Sequence, residues 1–472
     1  MLSMTTNYFN PNNAAKFNID MARSLEGIGA TLKFENDFVM VAAVVPGGPA
    51  DKSGQIAIDD KFVAVAQGDG EFVDIVGWRL DNAIQLIRGA KGTTVRLKIV
   101  SKGQDIASPK IISIVREKIV LQDQSVKKEI KTIQSNGKEI KIGIIDIPAF
   151  YADFKAYQAG DLNYKSTTRD VKLIIDSLKA AKVDAIVVDL RSNGGGSLME
   201  AIDLTGLFLK QGPVVQVRDT KNKIEVGEDD DPSILWDGPM AVLIDRFSAS
   251  ASEIFAAAIQ DYGRGIIIGT QSFGKGTVQN SIDLDQMMGE GASKVIGNTN
   301  KFGQINLTIA KFYRINGSST QHKGVSPDIS FPMVFAADKY GESAEPAALP
   351  WDEIKRSNYK TLANIAPIKR VLIEKHDKRM KGSKDFEYLL ADIKELKLRD
   401  AETSATLNEM VAKKERDEKE AESLARDNEK RIARGLAPIK KGDPKPKAEK
   451  AFDFMLEESC VIVSDYLQAI QK

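Results

Sequence analysis

The chain has 472 residues, which is too many for one compact core, so we expect about two to four domains. Apolar residues make up 42% and charged residues 28%, and the formal net charge is zero, so no overall field favours nucleic acid or a membrane surface. The single cysteine, Cys460, excludes an intramolecular disulfide and a multi-cysteine metal site. No run of eighteen apolar residues predicts a transmembrane helix, and we expect no cofactor and no metal.

The first hundred residues predict a lead-in segment followed by a small β-rich domain. Residues 1–25 are polar and lack the basic start and apolar run of a secretory signal. From this feature we expect a cytoplasmic protein or a chain that lacks its true beginning. Residues 26–102 alternate β-rich runs with glycine turns, and one helical pattern runs from Trp78 to Gly89. This texture predicts a small β-barrel-like domain.

Residues 103–337 alternate apolar β-branched runs with helical patterns. This alternation predicts an α/β core with parallel strands. Residues 338–472 are rich in charges of both signs and predict a helical C-terminal domain. The interleaved signs favour a solvated helix with pairs four residues apart over a nucleic-acid-binding surface.

The first candidate for chemistry is the glycine turn Gly194–Gly196, which directly follows the apolar strand VDAIVVDL. Successive glycines let the backbone turn sharply and can present N–H groups to an anion or an oxyanion. Taken alone, the motif is better explained as a strand-to-helix turn without a ligand.

The second candidate is Ser250, between the strand MAVLI and a predicted helix. Ser250 and Glu253 form the S-x-x-E pattern of a capping box, so Ser250 can be read simply as a helix N-cap. The two roles are compatible, because a serine at a strand-to-helix elbow exposes its hydroxyl. The N–H of Ala251 is then an unsatisfied donor at the helix start, suited to a developing oxyanion.

The third candidate is Lys275, in the segment GTQSFGKGTVQ. The spacing of Gly269, Gly274 and Lys275 mimics a phosphate-binding loop, but Gly276 stands where that motif needs Ser or Thr. Desolvation of the lysine would lower its pKa toward neutrality and make it a usable base. The chain has only two histidines, one in a polar turn and one in the charged C-terminal part. Lysine is therefore the better candidate, and Gln279 could orient its amine.

Asp261 lies eleven residues after Ser250 on the same predicted helix, about 16 Å away at 1.5 Å per residue. Direct contact between the two side chains is impossible on a straight helix. An acid at a helix C-terminus opposes the macrodipole, so we expect a specific cationic or N–H partner, with Arg264 as a local possibility.

Four motifs in this order, DLRSNGGG, VLIDRFSASASEIFAAAIQDYGR, FGKGTVQ and KGVSPDI, resemble the tail-specific protease, or C-terminal processing peptidase, family and are close to its Prc branch. The resemblance extends from TNYF to the late helical region. It implies an α/β peptidase core of ClpP/crotonase-like β-α units, an inserted PDZ domain and a C-terminal helical region. Members of this branch also carry a signal peptide and a long helical region before TNYF, and the chain begins inside that pattern.

The resemblance also implies roles for individual residues. Ser250 corresponds to the nucleophile, Lys275 to the general base and Gln279 to a residue that supports the lysine. Asp261 stands at the position of an essential aspartate. It implies that the oxyanion donors are the backbone amides of Ala251 and of either Gly195 or Gly196.

The GIG turn resembles a PDZ carboxylate-binding loop, which predicts tail binding at Gly27, Ile28, Gly29 and Ala30. Alone, this turn is weak evidence and is equally a plain β-turn. The resemblance implies protein substrates with apolar C-termini, an adaptor as a further partner, and a periplasmic location.

Three functions are weighed. The first is an endopeptidase that recognises nonpolar C-terminal tails. The second is a PDZ-type binding scaffold whose peptidase core is inactive because the N-terminal region is missing. The third is a P-loop nucleotidase, which should bind ATP with magnesium, and Gly276 argues against it.

Overall fold

A computed structural model of the chain describes residues 6–135, 137–288, 302–442 and 452–470. Part of the Pro-Lys-rich segment that the sequence places before the last helix, residues 443–447, lies outside the described residues. Within these four ranges no helix is both long and apolar enough to cross a membrane.

The β-rich domain is one antiparallel sheet of order β3-β4-β5-β7-β8, with β6 paired to β5. Its elements are β3 (Ala30–Glu35), β4 (Phe38–Val44), α2 (Pro49–Ser53), β5 (Lys61–Gln67), β6 (Val73–Asp74), α3 (Leu80–Ile87), β7 (Thr94–Val100) and β8 (Lys110–Val115). A separate apolar core under α2 and α3 holds it together. Strand β3 is at the edge of the sheet, and α3 packs beside it.

The central sheet of the second domain has the order β10-β11-β12-β15-β16-β19. Its strands are β10 (Lys127–Ser135), β11 (Lys138–Asp146), β12 (Ala185–Asp189), β15 (Met240–Ile244), β16 (Ile266–Gly269) and β19 (Ile329–Ser330). Every pair from β11 onward is parallel. The predicted α/β core with parallel strands is therefore confirmed.

Helices cover both faces of this sheet, which explains why β12 and β15 are buried at every residue and read as unbroken apolar runs. One face packs against α5 (Thr167–Ala180), α6 (Leu198–Gly206) and α7 (Ala251–Tyr262). The other face packs against α8 (Ala366–Met380) and α11 (Phe454–Ile470). The predicted C-terminal helical region therefore completes the core of the sheet.

A second sheet of order β1-β18-β13-β14, with β17 paired to β18, flanks the core. Its strands are β1 (Asn7–Phe9), β13 (Gly212–Asp219), β14 (Ile224–Asp229), β17 (Thr277–Asp283) and β18 (Gln304–Tyr313). The remaining elements are α1 (Pro11–Ala22), β2 (Ser24–Gly27), β9 (Glu117–Val120), α4 (Phe154–Gln158), α9 (Lys384–Asp400) and α10 (Glu409–Ala433). Helix α10 has no buried residue, as expected for a solvated helix.

Strand pairings bear on the domain limits that the sequence suggests. The sheet of the β-rich domain continues past residue 102 to Val115, because β8 pairs with β7. In the lead-in segment, β1 pairs with β18 of the second domain. Strand β2 pairs with β9, so the chain enters and leaves the β-rich domain side by side. The limits at residues 25, 102 and 337 stay proposals.

Candidate active site

Ser250 lies at a sharp turn between the end of β15 and the start of α7. Its backbone adopts φ 56° and ψ −113°, in a region that non-glycine residues rarely occupy. The predicted capping box with Glu253 is present, and the Ser250 amide donates to the Glu253 carboxylate at 2.8 Å. The Glu253 amide bonds to the Ser250 backbone carbonyl at 2.9 Å. The hydroxyl proton of Ser250 is not needed for this cap, so capping and reactivity are compatible.

Glu253 does more than cap the helix. Its side chain is completely buried, and Oε2 accepts hydrogen bonds from the backbone amides of both Ser250 (2.8 Å) and Lys275 (2.9 Å). Its other oxygen, Oε1, accepts from Ser272 Oγ (2.6 Å) and the Gly274 amide (2.7 Å). One carboxylate therefore joins the serine elbow to the loop that carries the lysine. Burial raises the pKa of Glu253 to about 7, although the four hydrogen bonds favour its ionised form.

The sequence reading missed this bridging role. The S-x-x-E spacing reveals only contacts within one helix turn, whereas three of the four donors come from residues 272–275. The available signal was an acid in the first turn of α7 followed by the apolar run IFAAAI.

Lys275 is half-buried next to this carboxylate. Desolvation lowers the pKa of its amine below the ordinary value of 10.5, and the charges of Glu342 and Glu253 oppose that shift. Its Nζ donates to Gln279 Oε1 at 3.3 Å, as the sequence predicts for an orienting amide. Among the described residues no hydrogen bond joins Lys275 Nζ to Ser250 Oγ, and such contacts in unliganded enzymes are often longer than in the reacting complex.

The glycine turn packs directly on the serine. A Cβ placed on Gly195 would lie 2.8 Å from Ser250 Cβ and 3.1 Å from the Ala251 nitrogen. On Gly196 it would lie 2.1 Å from the Phe150 carbonyl oxygen. Both glycines have positive φ, 101° and 145°. Gly195 and Gly196 are therefore closed to any larger residue on sterics alone.

One of the three predicted oxyanion donors has a hydrogen-bond acceptor inside its own turn. The Gly195 amide donates to Asn193 Oδ1 at 2.9 Å, which holds the turn in shape. The Gly195 carbonyl accepts a hydrogen bond from the Phe150 amide, and the Phe150 carbonyl accepts one from the Ser197 amide. These two bonds fix the turn to the segment that contains Phe150. In the described part of the chain, no such bond engages the amides of Ala251 and Gly196.

Asp261 lies at the far end of α7, and its partner is not the predicted one. The carboxylate binds Arg314 through two contacts, 2.6 Å to Nη2 and 3.1 Å to Nε, and accepts a third bond from Asn316 at 2.9 Å. Arg264 instead donates to backbone carbonyl oxygens of Phe208, Trp236 and Gly238. The expected cationic partner exists, but it comes from the β18 side of the fold.

The two histidines are also placed. His376 is buried in α8, with Nδ1 2.9 Å from Glu458. His322 lies beside the lysine loop, where its amide donates to the Gly274 carbonyl at 2.8 Å with φ 63°. The sequence reading did not place His322 near the site.

The GIG turn leads into the edge strand of the β-rich domain. Gly27, Ile28 and Gly29 are buried, and β3 begins at Ala30. The Ile28 and Gly29 carbonyls accept from the Ala50 and Val45 amides at 2.7 and 2.9 Å, which fixes the turn. An edge strand with a helix beside it is an arrangement to which an extended peptide can add as a further strand.

Three family models match the chain. Residues 141–331 match peptidase family S41, residues 17–100 match the PDZ domain, and residues 335–468 match the C-terminal domain of tail-specific protease. Together they cover the α/β core, the β-rich domain and the helical region.

Curated relatives are similar over long stretches. The tail-specific protease of Haemophilus influenzae is 41% identical over 98% of this chain and 63% of its own length. The carboxy-terminal-processing protease of Bartonella bacilliformis is 33% identical over 64% of this chain and 60% of its own length. The chain thus spans less than two thirds of the length of either relative.

Two solved structures are similar in part. The photosystem II D1 C-terminal processing protease is 24% identical, with a TM-score of 0.38, over 73% of this chain and 84% of its own. The PDZ domain of a carboxy-terminal protease from Vibrio cholerae, solved with a peptide, is 42% identical, with a TM-score of 0.19, over 20% of this chain and 97% of its own.

Proposed function

Because this chain belongs to the tail-specific proteases of peptidase family S41, we propose that it is a serine endopeptidase that captures proteins by nonpolar C-terminal tails and cleaves them. We assign Ser250 as the nucleophile and Lys275 as its base, with Gln279 orienting the lysine. The observation that carries this assignment is the Glu253 carboxylate oxygen shared by the Ser250 and Lys275 amides. That shared atom keeps the two loops within two hydrogen-bond lengths of each other.

In the proposed reaction, neutral Lys275 accepts the Ser250 hydroxyl proton as Oγ attacks the substrate carbonyl carbon. The lowered pKa of Lys275 supports this role, because it increases the neutral fraction at a given pH. The lysine then returns the proton to the leaving amine, and an acyl-enzyme remains on Ser250. Lys275 then takes a proton from water as the water oxygen attacks that ester, and gives this proton to Ser250 Oγ as the ester C–O bond breaks and the new carboxyl terminus is released.

The negative charge that develops on the carbonyl oxygen needs preorganised donors. We assign this role to the amides of Ala251 and Gly196, with Gly195 serving as the close-packed wall behind Ser250. Two observations support this assignment. The Gly195 amide already donates a hydrogen bond to Asn193, and Ala251 is the first residue of α7. A helix start also favours negative charge through the macrodipole.

The PDZ domain is the proposed tail-binding module, and a domain of this type implies binding of peptide C-termini. We propose that the tail adds as a strand to β3, with its carboxylate at the turn formed by Gly27, Ile28, Gly29 and Ala30. From the family resemblance we also propose a periplasmic location and an adaptor protein as a further partner.

The test uses the purified chain and a folded reporter protein carrying either an apolar or a charged C-terminal tail. We expect cleavage of the apolar-tailed reporter alone, and loss of cleavage in Ser250→Ala and Lys275→Ala. Ser326→Ala removes an exposed hydroxyl elsewhere and should keep full activity. Undiminished cleavage by Ser250→Ala contradicts the assignment. Tail binding by the wild-type chain without cleavage supports the scaffold alternative instead.

A further inference from the structure

The segment 333–345, which follows the S41-matched residues, lies across both loops of the proposed site. From residue 335 onward it belongs to the region that matches the C-terminal domain of tail-specific protease. Its contacts fall into two groups, one on the serine elbow and one on the lysine loop.

On the serine elbow, the segment packs through aromatic rings and one buried cation. Phe247 lies three residues before Ser250. Its ring centroid is 4.9 Å from that of Phe335 and 6.5 Å from that of Tyr340. The neighbouring Arg246 is 1% exposed, and its Nη2 lies 3.3 Å from Met333 Sδ. Residues beyond the S41-matched part of the chain therefore pack against the turn that carries Ser250.

On the lysine loop, the segment acts through Glu342, which is 2% exposed. The Glu342 amide donates to the Phe273 carbonyl at 3.1 Å. Its carboxylate accepts from Gln321 Nε2 at 3.0 Å, and Gln321 Oε1 in turn accepts from the Gly276 amide at 2.8 Å. Glu342 therefore holds the residues on both sides of Lys275, two before it and one after it.

The close fit at Gly276 supports this chain of contacts. A Cβ on Gly276 would lie 2.8 Å from the Gln321 nitrogen and 3.0 Å from its Cβ. Glycine at this position is thus explained by the approach of Gln321, which is fully buried. This contact gives a structural reason for Gly276 at the position where a phosphate-binding loop has Ser or Thr.

We propose that Glu342 is a positioning residue for Lys275, acting through Gln321 and the Phe273 carbonyl, so that the C-terminal domain completes the active site. The proposal rests on the function proposed above and extends it to a residue beyond the S41-matched core. The hydrogen bonds of Glu342 to Gln321 and Phe273 do not involve Ser250, so its role is to position Lys275 and to balance its charge.

The charge of Glu342 gives the proposal a signature that a purely structural contact lacks. The groups around Lys275 are Glu253 from α7, Glu342, Gln279 from β17, Arg246 from the elbow and His322 from the turn against Gly274. Glu342 is the largest influence holding the pKa of Lys275 up against desolvation. Removing its charge while keeping its shape should therefore lower that pKa further.

Two substitutions separate placement from charge. Glu342→Gln keeps an oxygen acceptor for Gln321 and removes the charge, so we expect kcat near the wild-type plateau. The rising limb of kcat/KM should move to lower pH, because a lower pKa of Lys275 gives more neutral amine at a given pH. Glu342→Ala also loses the acceptor, and we expect kcat to fall at least about tenfold with a smaller change in KM. The matched control is Glu345→Gln, an exposed acid in the same segment.

A second readout does not need turnover. Trace acetylation across a pH series, with peptide mass spectrometry, gives the midpoint at which Lys275 becomes reactive. We expect that midpoint to be lower in Glu342→Gln than in wild type and unchanged in Glu345→Gln. Coincident midpoints in Glu342→Gln and wild type overturn the proposal, even if Glu342→Ala fails to fold. Unchanged cleavage by Ser250→Ala would instead remove the proposed function, while the labelling result would still decide the role of Glu342.

Discussion

The ion pair at the far end of α7 makes a prediction that separates stability from chemistry. Asp261 is replaced by Ala, and separately by Asn. The Asp261 side chain is 6% exposed and that of Arg314 is 14% exposed, so the pair is largely screened from water. Removing the carboxylate leaves the Arg314 cation buried, and among the described residues the Gln260 side chain is then its remaining side-chain acceptor. Breaking a buried pair in this way costs about 3–5 kcal/mol of folding free energy.

A loss of that size is a large part of the about 5–15 kcal/mol that stabilises a typical folded domain. We therefore expect Asp261→Ala to lower the urea midpoint of the core transition strongly, and bulk activity with it. Asp261→Asn should lose less, because the amide oxygen still accepts one bond. The double variant Asp261→Ala/Arg314→Ala should be less destabilised than the two single variants added together, since it removes both charges.

The decisive assay counts folded molecules. Activity is measured at low temperature and divided by the folded fraction from circular dichroism, with exposed Asp176→Asn as the surface control. We expect the corrected activity of both Asp261 variants to stay within about threefold of wild type. A fully folded Asp261→Asn protein that has lost most of its kcat would refute this reasoning and place Asp261 in the chemistry.

Three further predictions concern the residues around Ser250. Gly195→Ala should abolish most of kcat/KM, because the added Cβ would lie 2.8 Å from the Ala249 carbonyl oxygen. Gly194→Ala is the control, since its Cβ meets no atom within 4 Å and should be tolerated. Equal activities of the two variants would contradict the packing. Glu253→Gln places an amide NH₂ against donors and should destabilise the fold by about 2–3 kcal/mol, so a wild-type urea midpoint would argue against the bridge. Because Lys275 acts when neutral and its pKa is lowered, kcat/KM should rise with pH along a limb that lies below 10.5, and a limb at or above that value would contradict desolvation.

Much of the fold and part of the site can be predicted from local sequence. The strands β12 and β15 are buried on both faces, so their uniform apolar runs identify a covered parallel sheet. The glycine turn and the serine elbow each follow one of these strands and begin a helix. The carboxyl ends of parallel strands lie at the same edge of a sheet. The order of the motifs along the chain is therefore enough to predict that the glycine turn and the serine elbow lie close together.

What the sequence does not reveal is the set of contacts between distant segments. Arg264 is nearer than Arg314 in the chain, but its guanidinium already serves three carbonyl oxygens, so Asp261 pairs across the fold. Glu253 looks like a cap because the capping motif is local, while its donors on residues 272–275 are not. Glu342 carries no local pattern, and only the fold brings it to Lys275 through Gln321.

The helix α11 has a consequence for the order of events during synthesis. Its residues Leu456, Cys460, Val463 and Leu467 cover one face of the sheet whose strands lead to Ser250. A ribosome makes the strands and α8 before this helix, so the part of that apolar face that α11 covers stays exposed on the nascent chain until α11 has emerged. We therefore expect the site to mature late, after translation of the core is complete.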